Sequence, residues 1–156
     1  MIKINLVCVG KVKEKYFAEG IAEYSKRLKR FCDFTVTEVA EENVKDGAAS
    51  PKTITEREGK NILSKLRGKV LATAIEGKKY SSACLAEEIE RFSAAGFGEI
   101  TFVVGGSYGL SQEVKDRADA LISFSVMTFP HTLFRLMLTE QIYRAFCIIA
   151  GTPYHK

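Results

Sequence analysis

Hydrophobic residues along the chain form short runs of strand length that alternate with longer stretches of helical period. Apolar runs at residues 2–9, 34–39, 70–75, 100–104 and 122–126 predict five strands. Apolar positions three or four residues apart predict helices around 17–31, from 53, around 85–92, and over 111–121 and 132–150. This alternation favours one α/β domain, residues 1–156, with a mostly parallel sheet covered by helices on both faces.

Residues with known roles at helix ends suggest where these elements begin and end. Thr53 and Glu56 fit a capping box, so we place the start of the second helix near Thr53. Ser111 can cap the short fourth helix, and Gly151 should end the last one. The polar stretch 42–51 is interpreted as a mobile loop.

The predicted last helix is apolar on more than one face. Its hydrophobic positions are Leu133, Phe134, Leu136, Met137, Leu138, Ile142, Tyr143, Phe146, Ile148 and Ile149. A helix that packs only on its own sheet keeps a polar outer face. The helix is therefore buried deeply within one chain or against a second copy. We favour the second copy because the chain has only 156 residues.

Composition is that of a soluble globular protein, with 46% hydrophobic and 27% charged residues. The net charge of +4 and the pI near 8.8 weakly indicate a polyanionic partner. We find no signal peptide and no apolar stretch long enough to span a membrane. The prediction is a cytoplasmic protein with reduced, buried cysteines at positions Cys8, Cys32, Cys84 and Cys147.

Three loops, residues 72–77, 105–110 and 124–131, follow the third, fourth and fifth predicted strands. Ligands of open parallel sheets bind at the carboxyl ends of strands, so these loops are the expected site. The loop from Gly105 to Leu110 departs from the dinucleotide pattern Gly-x-Gly-x-x-Gly, and a tight turn is the alternative. The third loop, with Met127 and Phe129, suits adenine or a thioether better than a pyrophosphate, unless both side chains belong to the core.

Positive charge is concentrated in the last part of the chain. After Asp119 the only acid is Glu140, whereas the basic residues are His131, Arg135, Arg144, His155 and Lys156. Arg135 and Arg144 are nine residues apart, which we interpret as different but not opposite faces of the helix. Together with Tyr154 they offer cations for phosphate and an aromatic surface for a base. The alternative is a solvated helix and a frayed tail.

Several of these segments, taken in order, resemble the RlmH (YbeA) family of SPOUT-class methyltransferases, which act on large-subunit ribosomal RNA in bacteria. The segments are Val9-Gly-Lys-Val-Lys-Glu-Lys-Tyr16, Gly105-Gly-Ser-Tyr-Gly-Leu110, Met127-Thr-Phe-Pro-His131, Glu140-Gln-Ile-Tyr-Arg-Ala145 and Pro153-Tyr-His-Lys156. The resemblance extends over the whole chain. It implies a SPOUT (α/β-knot) fold with a C-terminal trefoil knot, and a homodimer with its active site at the subunit interface.

The resemblance also implies a reaction, the transfer of a methyl group from S-adenosylmethionine to N3 of a pseudouridine in 23S rRNA. The family's cofactor positions carry onto Thr73, Gly105, Phe124, Ser125, Val126, Met127, Thr128 and Phe129. The family often has leucine at the position of Thr73, so a backbone contact is the one we expect there.

The remaining site residues are hypotheses from residue chemistry. We assign His131, Arg135, Tyr154 and His155 to holding the uridine ring and its phosphates, and assign no general base. RNA contacts are predicted for Arg135, Arg144 and Lys156. A sulfonium donor is already activated, so positioning should supply most of the rate and no metal is expected.

The modest basic charge favours a large, shaped substrate, the assembled ribosome, over a lone RNA hairpin. Two other function classes stay open. A nicotinamide-dependent oxidoreductase would bind NAD and not S-adenosylmethionine, and a non-catalytic ribosome-binding factor would bind RNA with no cofactor pocket.

Overall fold

A computed structural model describes residues 1–42 and 49–156 as a five-stranded sheet with helices on both faces. In chain order the elements are β1 (Lys3–Val9), α1 (Lys15–Leu28), β2 (Asp33–Val39), α2 (Pro51–Leu63), β3 (Lys69–Lys79), α3 (Ser82–Ala94), β4 (Glu99–Val104), α4 (Gln112–Arg117), β5 (Ala120–Ser123) and α5 (His131–Ile149). The strand order is β2-β1-β4-β3-β5, and every neighbouring pair is parallel. The predicted parallel α/β domain is confirmed.

The two faces of β1 support two separate layers of the core. Ile4, Leu6 and Cys8 point into the layer formed with α1, α3 and α5, whereas Val7 and Val9 point into the layer with α2 and α4. This alternation is the pleat of a strand buried on both sides. It explains why the second half of the strand, residues 6–9, is apolar without interruption.

The second helix begins earlier than predicted. Ser50 is the capping residue, since its hydroxyl accepts a hydrogen bond from the Thr53 backbone N–H at 3.2 Å, and Pro51 occupies the first helical position. The start near Thr53 is therefore wrong by about one turn. Ser111 caps α4 as predicted, accepting from the Val114 N–H at 3.3 Å. Most of the predicted loop over 42–51 falls on residues 43–48, outside the described part of the chain.

The strands beside the expected site differ most from the prediction. The segment 72–77 is not a loop, because β3 continues through it to Lys79 and pairs with β5 on both sides of a register shift between Thr73 and Lys78. A Cβ at Gly77 would lie 2.8 Å from backbone atoms of Leu121 and Ile122, so only glycine permits this approach. The elements α4 and β5 also end earlier than predicted, at Arg117 and Ser123, and residues 124–126 form a turn.

The last helix, α5, begins at His131, one residue before the predicted start, and is followed by Gly151 in a left-handed conformation. Its inner residues, among them Leu138 and Ile142, are fully buried. Leu136 packs so closely on α1 that a Cβ at Gly20 would lie 2.8 Å from its Cδ1. Met137 stays half-buried on the outer side of the helix.

The four cysteines are free thiols, and three of them are buried as predicted. Cys84 is exposed near the start of α3, so the prediction is wrong for this residue: its helix buries other positions, such as Leu85 and Ile89. Burial raises the pKa of Cys8 and of Cys32 to about 12, which leaves both unreactive at neutral pH. Within residues 1–42 and 49–156, every helix is too short or too polar to cross a membrane.

Candidate active site

The carboxyl ends of β3, β4 and β5 surround a cavity of about 610 Å³, which we call the strand-end pocket. Its wall comes from the three segments that the sequence singled out. The lining residues are Thr73, Ala74, Ile75, Val104, Gly105, Gly106, Ser107, Gly109, Ile122, Ser123, Phe124, Ser125, Met127, Thr128, Phe129, Pro130, His131 and Phe134. Ligand sites of parallel sheets are expected at this edge.

The predicted cofactor positions converge on this pocket with one exception. Thr73, Gly105 and most of the run 124–129 line it. Val126 is not among the lining residues and is 72% exposed, so a cofactor contact at this position stays a prediction.

The glycine turn after β4 brings main chain, and no side chain, to the pocket. A Cβ at Gly105 would lie 2.8 Å from the carbonyl carbon and oxygen of Gly109 and 3.0 Å from Cδ2 of Leu110. The turn is closed by a hydrogen bond from the Gly109 N–H to the Gly106 carbonyl at 3.1 Å, and Gly109 has a φ of +82°. Glycine is needed here for the close approach and for the left-handed backbone.

The Thr73 hydroxyl is already engaged within the sheet. Its Oγ1 donates a hydrogen bond to the Val103 carbonyl at 2.8 Å. The hydroxyl proton is therefore not available to a ligand. Toward a ligand this side chain can only accept a hydrogen bond, and donors in this part of the pocket must come from the backbone.

The turn that follows β5 is held by its own hydrogen bonds and gives the pocket an aromatic side. The Ser125 hydroxyl accepts from the Met127 N–H at 3.0 Å, and the Ser123 hydroxyl donates to the Ser125 carbonyl at 3.0 Å. Behind the turn, the rings of Phe124 and Phe134 lie 4.6 Å apart. Such a surface suits a flat, weakly polar ring better than a phosphate chain.

A second cavity, also of about 610 Å³, lies between α1, α3 and α5 and is called here the helix groove. Tyr24, Met137 and Glu140 line it. It shares Phe124 and Phe129 with the strand-end pocket, so the turn after β5 separates the two cavities.

The end of the chain is fixed on α5 by a group of polar side chains, the C-terminal cluster of Glu140, Arg144, Tyr154 and His155. The Glu140 carboxylate accepts from the Tyr154 hydroxyl at 2.9 Å and from Arg144 Nη2 at 2.7 Å. Arg144 Nη1 lies 3.2 Å from His155 Nδ1. Tyr154 also packs edge-on against Tyr143, with ring centroids 4.8 Å apart. The alternative of a frayed tail is wrong.

The Tyr154 phenol remains protonated in this cluster. Burial raises its pKa, and the hydrogen bond to the Glu140 carboxylate raises the pKa further because a phenolate would meet a like charge. Tyr154 is therefore a hydrogen-bond donor and not a base at neutral pH.

Arg135 does not take the role predicted for it. Its side chain is buried at 2% exposure, and its guanidinium binds Glu38 Oε2 at 2.6 Å and the carbonyls of Gly10 at 2.9 Å and Val9 at 3.3 Å. This guanidinium is used inside the fold, where it ties α5 to β1 and β2, and it is not presented to RNA or to a uridine ring.

The relative placement of the two arginines explains the error. At 3.6 residues per turn, a separation of nine residues corresponds to about two and a half turns, which is half a turn out of phase. Arg135 and Arg144 therefore point to opposite sides of α5, not to neighbouring faces. Arg135 bonds to β1 and β2, and Arg144 bonds to the tail.

The remaining predicted residues are divided between the two regions. His131 lines the strand-end pocket at the start of α5. Arg144, Tyr154 and His155 belong to the C-terminal cluster, and Lys156 is exposed at the end of the chain. The structure thus does not bring His131 and His155 into one pocket within a single chain.

Sequence reasoning missed Glu140, the acceptor at the centre of the C-terminal cluster. The spacing of Glu140 and Arg144, four residues apart in a helix, is the signal that indicates an ion pair. It gives no indication of Tyr154, which is fourteen positions further along the chain.

The parallel sheet and the pocket at its glycine turn define a class, the α/β proteins that bind a ligand at the carboxyl ends of parallel strands. The family model described as "Predicted SPOUT methyltransferase" matches residues 2–155. The chain belongs to the SPOUT methyltransferase family. A solved structure of "a probable methylase family protein" from Haemophilus influenzae Rd KW20 aligns over 99% of this chain and 70% of that one, with a TM-score of 0.53 and 14% identity, which bears on the fold alone.

Within the family, the chain is similar to proteins named ribosomal RNA large subunit methyltransferase H. The protein of that name from Streptococcus uberis is 52% identical, and the one from Streptococcus gordonii is 53% identical. Both matches cover 99% of this chain and 100% of the relative.

Proposed function

We propose that this protein transfers a methyl group from S-adenosylmethionine to N3 of a pseudouridine in large-subunit ribosomal RNA. The observation that carries the proposal is the strand-end pocket, formed by β3 and by the turns after β4 and β5, in a chain about half identical, over its full length, to ribosomal RNA large subunit methyltransferase H proteins. The choice of pseudouridine N3 rests on the RlmH family resemblance.

The lining of the strand-end pocket suits the proposed donor. S-adenosylmethionine carries its reactive methyl group on a positively charged sulfur and also brings an adenine ring. The pocket offers Phe124 and Met127 for apolar contact, and main-chain groups around Gly105 and Thr73 for hydrogen bonds. Among the described residues that line it there is no lysine or arginine, which disfavours the pyrophosphate of a dinucleotide.

We also propose a homodimer that covers the rim of the pocket and the helix groove. Large apolar side chains around the strand-end pocket are exposed in β3, where Ile75 is 58% exposed, and in the two turns, where Tyr108 is 53%, Val126 72% and Met127 68% exposed. Apolar side chains concentrated around a pocket are typical of a surface that a partner covers. Met137→Glu, in the helix groove, should dissociate the dimer in analytical ultracentrifugation, whereas Phe97→Glu, just before β4 at the opposite ends of the strands, should not.

In such a dimer, the C-terminal cluster of one copy would complete the strand-end pocket of the other. This arrangement is supported by the separation of His131 from Tyr154 and His155 within one chain. His131 would lie beside the donor, and the tail of the second copy would hold the uridine ring by hydrogen bonds and stacking.

The cations that we propose for RNA phosphates lie outside the strand-end pocket. Arg144 belongs to the C-terminal cluster, and Lys156 is the last residue of the chain. The exposed Lys11 and Lys13 follow β1, whose last residue, Val9, lies next to Gly106 of the glycine turn. So few cations give modest affinity for naked RNA, which favours the assembled ribosome as substrate. An enzyme with that substrate works in the cytoplasm.

The trefoil knot of the family is proposed for this chain as well. The proposal rests on the RlmH family resemblance. The passage of a chain segment through a narrow loop requires close backbone approaches, and Gly77 against residues 121–122 is one such approach between segments far apart in the sequence.

The decisive experiment combines binding and transfer. In calorimetry the protein should bind S-adenosylhomocysteine and not NAD, and tritium from labelled S-adenosylmethionine should enter large-subunit rRNA in ribosomes that lack the modification. Mass spectrometry of the digested RNA should locate one methyl group on a pseudouridine. Binding of NAD alone would favour an oxidoreductase, and RNA binding without any cofactor binding would favour a ribosome-associated factor.

A further inference from the structure

A buried carboxyl group lies directly behind the glycine turn of the strand-end pocket. Glu58, in α2, is only 2% exposed. Its Oε2 accepts a hydrogen bond from the Glu42 backbone N–H at 3.1 Å. Its Oε1 has no hydrogen-bond partner among residues 1–42 and 49–156. Buried carboxylate oxygens are usually satisfied, so this oxygen requires an explanation.

One glycine separates this carboxyl group from the pocket. A Cβ placed on Gly106, which lines the pocket, would lie 3.2 Å from Glu58 Oε1 and 3.4 Å from Oε2. The next residue, Gly59, packs directly against Ser111 at the other end of the turn. The helix α2 is thus pressed against the back of the glycine turn, with the carboxyl group at its centre.

The environment of Glu58 opposes its negative charge. Burial raises its pKa, the hydrogen bond from the Glu42 N–H lowers it, and the neighbouring Glu41 and Glu42 carboxylates raise it again. Glu58 forms no salt bridge with any described residue. A buried carboxyl group whose charged form is disfavoured, beside a pocket, is typical of a functional site.

We propose that Glu58 is a positioning residue of the donor site, whose carboxylate favours a positively charged sulfonium across Gly106 and so distinguishes the donor from its neutral thioether product. This inference rests on the proposed function. The glycine is essential to it, because any side chain at position 106 would separate the two charges. The product lacks the positive charge and is released more easily.

The test compares two ligands that differ in one methyl group and one charge. In calorimetry near pH 8, Glu58→Gln should weaken S-adenosylmethionine about tenfold, the size expected for a charge pair in a partly screened site, and should change S-adenosylhomocysteine less than twofold. Glu58→Asp, which keeps the charge, should preserve the affinity ratio of the two ligands. The exposed Glu41→Gln, which removes a nearby charge beside Gly10, is the matched control and should leave the ratio unchanged.

A second readout is independent of any ligand. Because the folded-state pKa of Glu58 is raised, the folded protein binds the proton more tightly than the unfolded chain, and stability falls as pH rises from the ordinary pKa through the raised one. Glutamine has no such proton to lose. The Tm of Glu58→Gln should therefore equal or exceed that of the unsubstituted protein at neutral pH, with a difference that grows as pH increases through this window.

The outcomes separate a charge effect from a structural one. Equal weakening of both ligands, or a Tm well below that of the unsubstituted protein, would mean that Glu58 only supports the turn, and would overturn the inference. No change for either ligand would overturn it as well. If the unsubstituted protein bound neither ligand, the proposed function itself would fail, and the inference with it.

Discussion

The strand-end pocket is built mainly from backbone groups, whereas the C-terminal cluster is built from side chains. Around Gly105 and Thr73 the pocket presents main chain, and its side chains supply mainly apolar surface. In the cluster, Glu140, Arg144 and Tyr154 bond to one another through side chains alone. The pocket should therefore tolerate many side-chain changes but no added Cβ at its glycine turn, whereas the cluster should depend on the identity of each polar residue.

The largest expected effect is that of Gly105→Ala on donor binding. The new Cβ would overlap the Gly109 carbonyl, so the turn must move. We expect a displacement of this kind to lower the affinity for the donor roughly 100-fold. Calorimetry with S-adenosylhomocysteine measures the effect directly. Gly98→Ala, where an added Cβ would meet nothing within 4 Å, is the matched control and should bind normally. Normal binding by Gly105→Ala would contradict the main-chain account of the pocket.

A smaller effect, confined to the second region, is expected for Glu140→Gln. The amide keeps the shape but loses the charge that holds Arg144 and Tyr154, a loss of about 1.5 to 3 kcal/mol for a charged hydrogen bond. Methyl transfer to ribosomes should fall roughly ten- to 100-fold by the same measure, with donor affinity unchanged. The exposed Glu90→Gln is the control. A parallel loss of donor binding would mean that the two regions are not independent.

The smallest effect is expected for Thr73→Val. The substitution preserves the shape of the side chain and removes the hydrogen bond to the Val103 carbonyl, which should lower the free energy of unfolding by about 1 kcal/mol in urea denaturation. Because the hydroxyl proton is held by the Val103 carbonyl and we expect a backbone contact at this position, the affinity for S-adenosylhomocysteine should change less than about twofold. A tenfold loss would show a side-chain contact that we do not expect.

Hydrophobic periodicity predicted the five strands and five helices because both faces of the sheet are buried. It failed where polar residues belong to a strand and where apolar residues lie outside one. The end of β3 carries Glu76, Lys78 and Lys79, whose polar side chains resemble a loop although the backbone pairs with β5. Residues 124–126 continue the apolar pattern of β5 but turn away from the sheet. The hydrophobic pattern indicates which side chains are buried, whereas strand pairing depends on residues far away in the sequence.

The candidate site was predictable to a different degree in each region. The rule that ligands bind at the carboxyl ends of parallel strands was enough to select the three segments of the strand-end pocket. The C-terminal cluster depends on a contact between Glu140 and Tyr154, and the burial of Arg135 depends on Glu38, nearly 100 positions away. A sequence gives the charge of such residues but not their partners, so Arg135 was taken for a surface cation.

The guanidinium of Arg135 has a consequence for the order in which the protein can be completed. Until α5 has been synthesised, the carbonyls of Val9 and Gly10 and the carboxylate of Glu38 lack their common donor. The contact between β1 and β2 at this point is therefore incomplete while translation proceeds, and it is completed only by the last sixth of the polypeptide. A fragment truncated before residue 131 should remain a substrate for chaperones and proteases, because it lacks α5 and the three bonds of Arg135 that tie this helix to β1 and β2.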